Sequence, residues 1–325
     1  MALVTYLEAI RDGLREEMER DERVFMMGED IGAFGGAFKV TEGFQTQFGA
    51  ERVIDTPIAE TAFVGAAAGA AHMGFRPVCE VQFIDFLSCA YSILTNYVAT
   101  ARYRADLKTP MVVRGPCGGF VRGGPFHSQN PEAAYLHTPG LKIVAPATVR
   151  DAKGLIKAAI RDDDPVLYFE HKYLYRRIKD DLPDGEDILT PIGKARLARE
   201  GKHLTIVTYS AMVWKALDAA LVLEKEGVSV EILDLRSLLP FDEEAIVTSV
   251  KKTNRVLVVH EDTRTGGMAG EIAARINERC FEWLDAPIRR VCAHDVPLPY
   301  APTLEDFVLP QTDDIVKAAR WMVGY

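Results

Sequence analysis

Cysteine is scarce in this 325-residue chain: Cys79, Cys89, Cys117, Cys280 and Cys292 are odd in number and form no CxxC pair. That excludes a disulfide framework and a cysteine knuckle, and the thiols read as reduced and mostly buried. The seven histidines show no HxH, HxxH or HExxH spacing, so no zinc or iron motif is present. Positive charge is in deficit, with 38 Lys and Arg against 47 Asp and Glu and a net charge of −9. Such a balance argues against nucleic acid or an anionic membrane as the main partner. No uninterrupted apolar run approaches the roughly 20 residues of a membrane span. The nucleotide and hydrolase signatures are missing as well. GAFGGAF is not G-x-G-x-x-G, no G-x-x-x-x-G-K-[ST] occurs, and there is no G-x-S-x-G elbow. A nicotinamide-dependent oxidoreductase on a Rossmann sheet is disfavoured accordingly.

What is present is the pattern of an α/β protein. Hydrophobic residues make up 48% and charged residues 26%, and the length suits two domains. MALVTYLEAIRDGLREEMERD reads as an acidic amphipathic helix with a Leu7, Ile10, Leu14, Met18 stripe, not as a signal or transit peptide, which predicts a cytoplasmic protein, or a mitochondrial matrix one if a transit peptide was removed. Strands are expected at Val24 to Met27, Pro77 to Phe86, Met111 to Arg114, Lys142 to Ala147 and Pro165 to Glu170. Between them, a long helix carries Leu87, Tyr91, Leu94 and Val98, and another spans Asp151 to Asp162. KDDLPDGEDILTP, acidic and broken by Pro and Gly, reads as a linker. A second alternating unit follows, with strands at 203–209, 228–234, 255–261 and 287–293. Alternation of this kind predicts two mainly parallel-sheet α/β domains, 1–186 and 187–325.

Three residues stand out as candidates. Glu60 stands ahead of an Ala/Gly run in VIDTPIAETAFVGAAAGAA, where Thr56 and Pro57 suit a helix entry. It is either a half-solvated carboxylate matched to the helix dipole or one held in an apolar pocket for proton transfer. Gly65 and Gly69 behind it are spaced for tight helix packing. His127 follows five glycines in the irregular stretch Gly115 to Glu132. It is either a solvated loop histidine or a proton-exchanging group on a functional loop. Phe86 fits ordinary core, or a stacking position at the C-terminal sheet edge where open α/β sheets bind ligands.

Ordered motifs then carry a resemblance over nearly the whole chain. GEDIG, DTPIAE-x-x-F-VG, EVQFIDF, VVRGPCGG, HSQNPEA, HTPGLKIVAPA, DAKGLIKAAIRD, DLRSLLPFD and HEDTRTGGMAGEI together resemble the beta subunits of thiamine-diphosphate-dependent 2-oxo acid dehydrogenases. ERCFEWLDAPIRRVCAHDVPLPY is most similar to the branched-chain type, with pyruvate and acetoin dehydrogenases close by.

The resemblance implies a transketolase-like pyrimidine-binding domain followed by a transketolase C-terminal domain. It implies that Glu60 hydrogen-bonds the aminopyrimidine ring nitrogen of thiamine diphosphate, that Phe86 packs on that ring, and that His127 serves acyl transfer to lipoamide. The GDG…N motif that holds diphosphate and magnesium in the family is absent. An alpha subunit is therefore expected to supply that half in an α2β2 heterotetramer, which docks a lipoyl-bearing acyltransferase core. A potassium site near Met111, Ala159, Ile160, Asp162 and Asp164 is also implied, largely through backbone carbonyls. A non-catalytic scaffold of the same fold is the reading from a different class.

Overall fold

The computed structural model describes Leu3–Pro183 and Gly185–Tyr325; the first two residues of the expected N-terminal helix and Asp184 of the expected linker lie outside the described residues. The chain forms two compact units, residues 1–117 with 134–192, and 118–133 with 193–325.

The first unit contains β1 (Leu3–Thr5), α1 (Tyr6–Arg20), β2 (Val24–Gly28), α2 (Phe44–Phe48), β3 (Val53–Asp55), α3 (Glu60–His72), β4 (Arg76–Glu80), α4 (Ala101–Ala105), β5 (Val112–Cys117), α5 (Ala133–Leu136), β6 (Lys142–Val144), α6 (Val149–Arg161), β7 (Val166–His171) and β8 (Lys179–Asp181). Its main sheet runs β6-β7-β5-β4-β2-β3, all parallel. The central strands β5 and β7 are buried throughout, as expected where helices cover both faces, and the edge strand β3 is only partly buried. Helix α1 begins with a capping box in which Thr5 accepts from the Glu8 amide and Glu8 reaches back to Thr5. Its expected stripe of Leu7, Ile10, Leu14 and Met18 is fully buried. Gly13 lets it lie close to α6, since a Cβ there would stand 2.6 Å from Ile156. The wholly buried Glu17 binds Arg161 at 2.6 Å across the same contact.

Two local expectations change. The strand read to Phe86 ends at Glu80, and Phe86 lies in a 3₁₀ segment, Ile84–Ala90, followed by a π segment, Ile93–Val98. The apolar spacing was helical, but no single α-helix forms there. The acidic stretch read as a linker is pinned over its second half. Asp187 pairs with Lys157 at 2.6 Å and Arg161 at 2.8 Å, and Thr190 binds Asp151 at 3.3 Å. The first compact unit extends to Ile192.

The second unit contains β9 (Arg196–Arg199), β10 (Leu204–Thr208), α7 (Met212–Glu224), β11 (Val230–Asp234), β12 (Ser237–Leu239), α8 (Glu243–Thr253), β13 (Val256–Thr263), α9 (Met268–Cys280), β14 (Arg289–Ala293), α10 (Pro302–Val308) and α11 (Thr312–Val323). Its sheet runs β14-β13-β10-β11-β9, parallel except for β9 at the edge. The expected strands are all found, whereas β9 was missed because RLAR has no apolar signal.

Candidate functional site

The first unit brings an acidic group to the C-terminal edge of its sheet. Register pairs Gly28 with Asp55 and with Glu80, so β2, β3 and β4 end level with one another. Glu29 directly follows β2, and the Thr56 amide donates to Gly28 at 2.9 Å. Glu60 is the first residue of α3, whose N-cap Ala59 contributes no side chain. A carboxylate there suits the exposed amides and the helix dipole. It is not the half-solvated group of the milder reading, because Glu60 is only 7% exposed. Thr56 does not cap the helix; its hydroxyl is buried with no hydrogen-bond partner among the described residues.

Glu29 is the residue that the sequence reading missed. It is 6% exposed, and its Oε1 has no hydrogen-bond partner among the described residues. Burial first, then the charge of Glu60 and that of Asp30, raise its carboxyl to about 7. The signal was available in GEDIG, because a residue just past a buried parallel strand falls on the ligand-binding edge. Phe86 is half-buried in its 3₁₀ segment, which packs against α3. The Thr61 hydroxyl donates to the Cys89 carbonyl, tying this segment to the turn that starts with Glu60. Of the Gly65–Gly69 pair expected to pack tightly, a Cβ at Gly65 would stand 3.9 Å from Ile93, and one at Gly69 would meet nothing within 4 Å among the described residues.

This edge is acidic. Glu29, Asp30, Asp55 and Glu60 lie on it or next to it, so a diphosphate would be repelled. Two buried oxygens on this edge, Glu29 Oε1 and the Thr56 hydroxyl, have no hydrogen-bond partner among the described residues. Beneath it lies a fully buried ion cluster. The Arg114 guanidinium donates to Glu80 and, at 2.7 Å, to Glu170, which also accepts from Tyr175 at 2.7 Å. Burial raises the Glu80 carboxyl despite Arg114.

His127 belongs to the other unit. The loop 118–133 leaves β5 but packs with the C-terminal residues. His127 is half-exposed after a short 3₁₀ turn, Gly124–Phe126. Near it, Glu132 is buried and accepts from the Tyr209 hydroxyl at 2.6 Å. Burial, then Asp262, push the Glu132 carboxyl well above the usual carboxylate range, and burial lifts Asp262 to about 6. His137 follows α5 and is exposed.

The residues implied for potassium gather around the C-terminus of α6. Ile160 and Asp162 turn their carbonyls to Arg76 at 2.8 and 2.9 Å. The Ala159 carbonyl accepts from the Asp162 amide at 3.3 Å, and that of Met111 from Val166 at 3.0 Å. Lys142 holds the Asp162 carboxylate at 2.7 Å and Asp164 at 3.3 Å. Among the described residues no cluster of His, Cys, Asp or Glu side chains forms a metal site, and no helix is long and apolar enough to cross a membrane.

Comparison with known proteins agrees with this architecture. The transketolase pyrimidine-binding domain matches residues 3–177, and the transketolase C-terminal domain matches 193–315. The chain is 50% identical to the 2-oxoisovalerate dehydrogenase subunit beta of Bacillus subtilis, over 100% of both chains. It is 44% identical to the pyruvate dehydrogenase E1 component subunit beta of Rickettsia felis, over 99% of each. A split gene transketolase, an inactive beta4 tetramer, shares the fold with a TM-score of 0.82 at 23% identity, over 99% of each chain. The chain thus belongs to the beta subunits of the thiamine-diphosphate-dependent 2-oxo acid dehydrogenases.

Proposed function

We propose that this chain is the beta half of a decarboxylating component that acts on a branched-chain 2-oxo acid and passes the acyl group to a lipoyl-bearing acyltransferase. The observation that carries the reading is the buried Glu29–Glu60 pair, with an unfilled carboxyl oxygen, on the ligand edge of the first sheet. Thiamine diphosphate, when bound, supplies the carbon nucleophile and electron sink that 2-oxo acid decarboxylation requires. Glu60 holds a proton at the ring nitrogen of the aminopyrimidine, and Phe86 packs on that ring. Glu29 holds its own proton up to about pH 7 and keeps a second buried negative charge away from Glu60. His127 steers the acyl group toward lipoamide.

The acidic edge leaves the diphosphate and its magnesium to another chain. An alpha subunit in an α2β2 heterotetramer supplies them, and the assembly is cytoplasmic. Potassium at the end of α6 would be held by carbonyls, because Lys142 already engages the Asp162 and Asp164 side chains. A lower melting temperature in choline than in potassium salt supports that site, and equal values remove it. The branched-chain assignment draws on the Bacillus subtilis relative, named for 2-oxoisovalerate, at 50% identity against 44% for the pyruvate-named one.

Reconstitution with a matching alpha subunit, thiamine diphosphate and magnesium tests this reading. The chain alone is expected to be inactive, and the heterotetramer to turn over 3-methyl-2-oxobutanoate with higher kcat/KM than pyruvate or acetoin. A preference for pyruvate would reassign the substrate. No turnover of any 2-oxo acid would favour a scaffold.

A further inference from the structure

The ligand-binding edge of an open α/β sheet lies beyond the carboxyl ends of its strands. In the second unit that edge is taken by the chain itself. Glu261, 6% exposed near the end of β13, accepts from the Gly119 amide at 2.5 Å and from the Asn130 side-chain amide at 2.9 Å. Both bonds end on the same oxygen, Oε1, and come from opposite sides of His127 in the sequence. The outer part of the loop is fixed by α10. There the Arg122 amide donates to the buried Glu305 at 3.2 Å, and its guanidinium reaches Asp306 at 2.8 Å.

The loop backbone shows why it needs such anchors. Phe120 and Arg122 have φ of 61° and 64°, a region that residues with side chains seldom occupy. Conformations of this kind persist only where the surroundings over-determine them. Gly124, with φ of 67°, lies so close to Tyr300 that a Cβ would stand 2.3 Å from its ring. Flexible attachment would leave His127 free to wander on a long irregular segment; here the segment is closed at its base by one carboxylate.

We propose that Glu261 is a positioning residue for His127, acting as a hydrogen-bond acceptor that closes the two ends of the loop. The second domain thereby serves the chemistry by holding this loop on its own sheet edge. This rests on the reading that His127 serves acyl transfer. Because both donors meet Oε1, a glutamine whose carbonyl oxygen occupies that place keeps both bonds.

The test uses the reconstituted heterotetramer with thiamine diphosphate, magnesium and an isolated lipoyl domain. Decarboxylation is read with a dye acceptor and acyl transfer by mass of the lipoyl domain. In Glu261→Ala the ratio of transfer to decarboxylation is expected to fall about tenfold, within the losses that small misplacements of a reacting group bring. Glu261→Gln is expected to restore the ratio. Amide exchange over 118–133 should rise in the alanine variant and return in the glutamine variant. If Glu261→Ala does not assemble, Asn130→Ala, which removes one of the two bonds, carries the same expectation at smaller amplitude. An unchanged ratio in the alanine variants while His127→Ala is impaired overturns the proposal. So does a glutamine variant as poor as alanine. Unimpaired transfer in His127→Ala instead overturns the reading on which it rests.

Discussion

Glu29 and Glu60 lie on one buried edge, and the charge of Glu60 helps hold the Glu29 carboxyl at about 7. Burial contributes most to that rise, and the Glu60 and Asp30 charges add to it.

Removing the Glu60 carboxylate is expected to lower turnover of the reconstituted enzyme by about 10²- to 10⁴-fold, the usual contribution of a proton-handling side chain. Glu60→Gln should keep its circular dichroism and melting temperature. It should also bring the Glu29 titration down toward the ordinary carboxyl range, because a neighbouring charge is lost. Isotope-edited infrared spectroscopy of the carboxyl stretch reads that shift directly. Wild-type turnover in Glu60→Gln would sink the assigned role.

Stability should depend on pH through Glu29. Its folded carboxyl titrates at about 7, above the unfolded value near 4.3. Between these values the folded state binds more protons than the unfolded state, so stability falls as pH rises. The contribution is fully present below about pH 4 and lost through about pH 7. Urea denaturation of wild type against Glu29→Gln across this range should show a flatter profile for the variant. Parallel profiles would remove Glu29 as the source.

The Arg114 cluster should be costly to break. Arg114 is fully buried between Glu80 and Glu170, so Arg114→Met leaves two buried carboxyls without their cation. A loss of about 3–5 kcal/mol is expected from such a change. Chemical denaturation followed by fluorescence checks this, and the triple replacement with Glu80→Gln and Glu170→Gln should recover part of the loss. A single-variant loss below about 1 kcal/mol would show that the cluster is screened by water.

Gly124→Ala should disturb the His127 loop without touching the first unit. The new methyl group would meet the Tyr300 ring, and the positive φ resists any side chain. Acyl transfer is expected to fall, and Tyr300→Ala in the same chain should relieve the steric part of the loss. No effect of Gly124→Ala on transfer would show that the loop adjusts freely.

The N-terminal helix stripe, the parallel strands and the two-domain plan were legible because they depend on local periodicity. Glu60 was singled out, but its burial was not, since exposure depends on what the neighbouring strands end beside. Glu29 looked like one acid among several in GEDIG. Only the level ends of β2, β3 and β4 put it next to Glu60 and close it to water. Phe86 was expected at a strand end and lies in a 3₁₀ segment, because backbone hydrogen bonding overrode the apolar run. The stretch from Lys179 to Pro191 has the composition of a linker, yet Asp187 and Thr190 pin it to α6.

By itself the sequence determined the α/β class, the acidic surface, the absence of a diphosphate motif and the identities of Glu60, Phe86 and His127 as candidates. These follow from composition, spacing and ordered motifs, all carried along one dimension. The tertiary structure decided which unit holds each of them. It moved the His127 loop onto the C-terminal unit, because its partners Glu261 and Tyr209 lie far along the chain and meet it only in the fold. Hydrogen bonds to a buried carboxylate act through space, and no periodicity in the sequence records them.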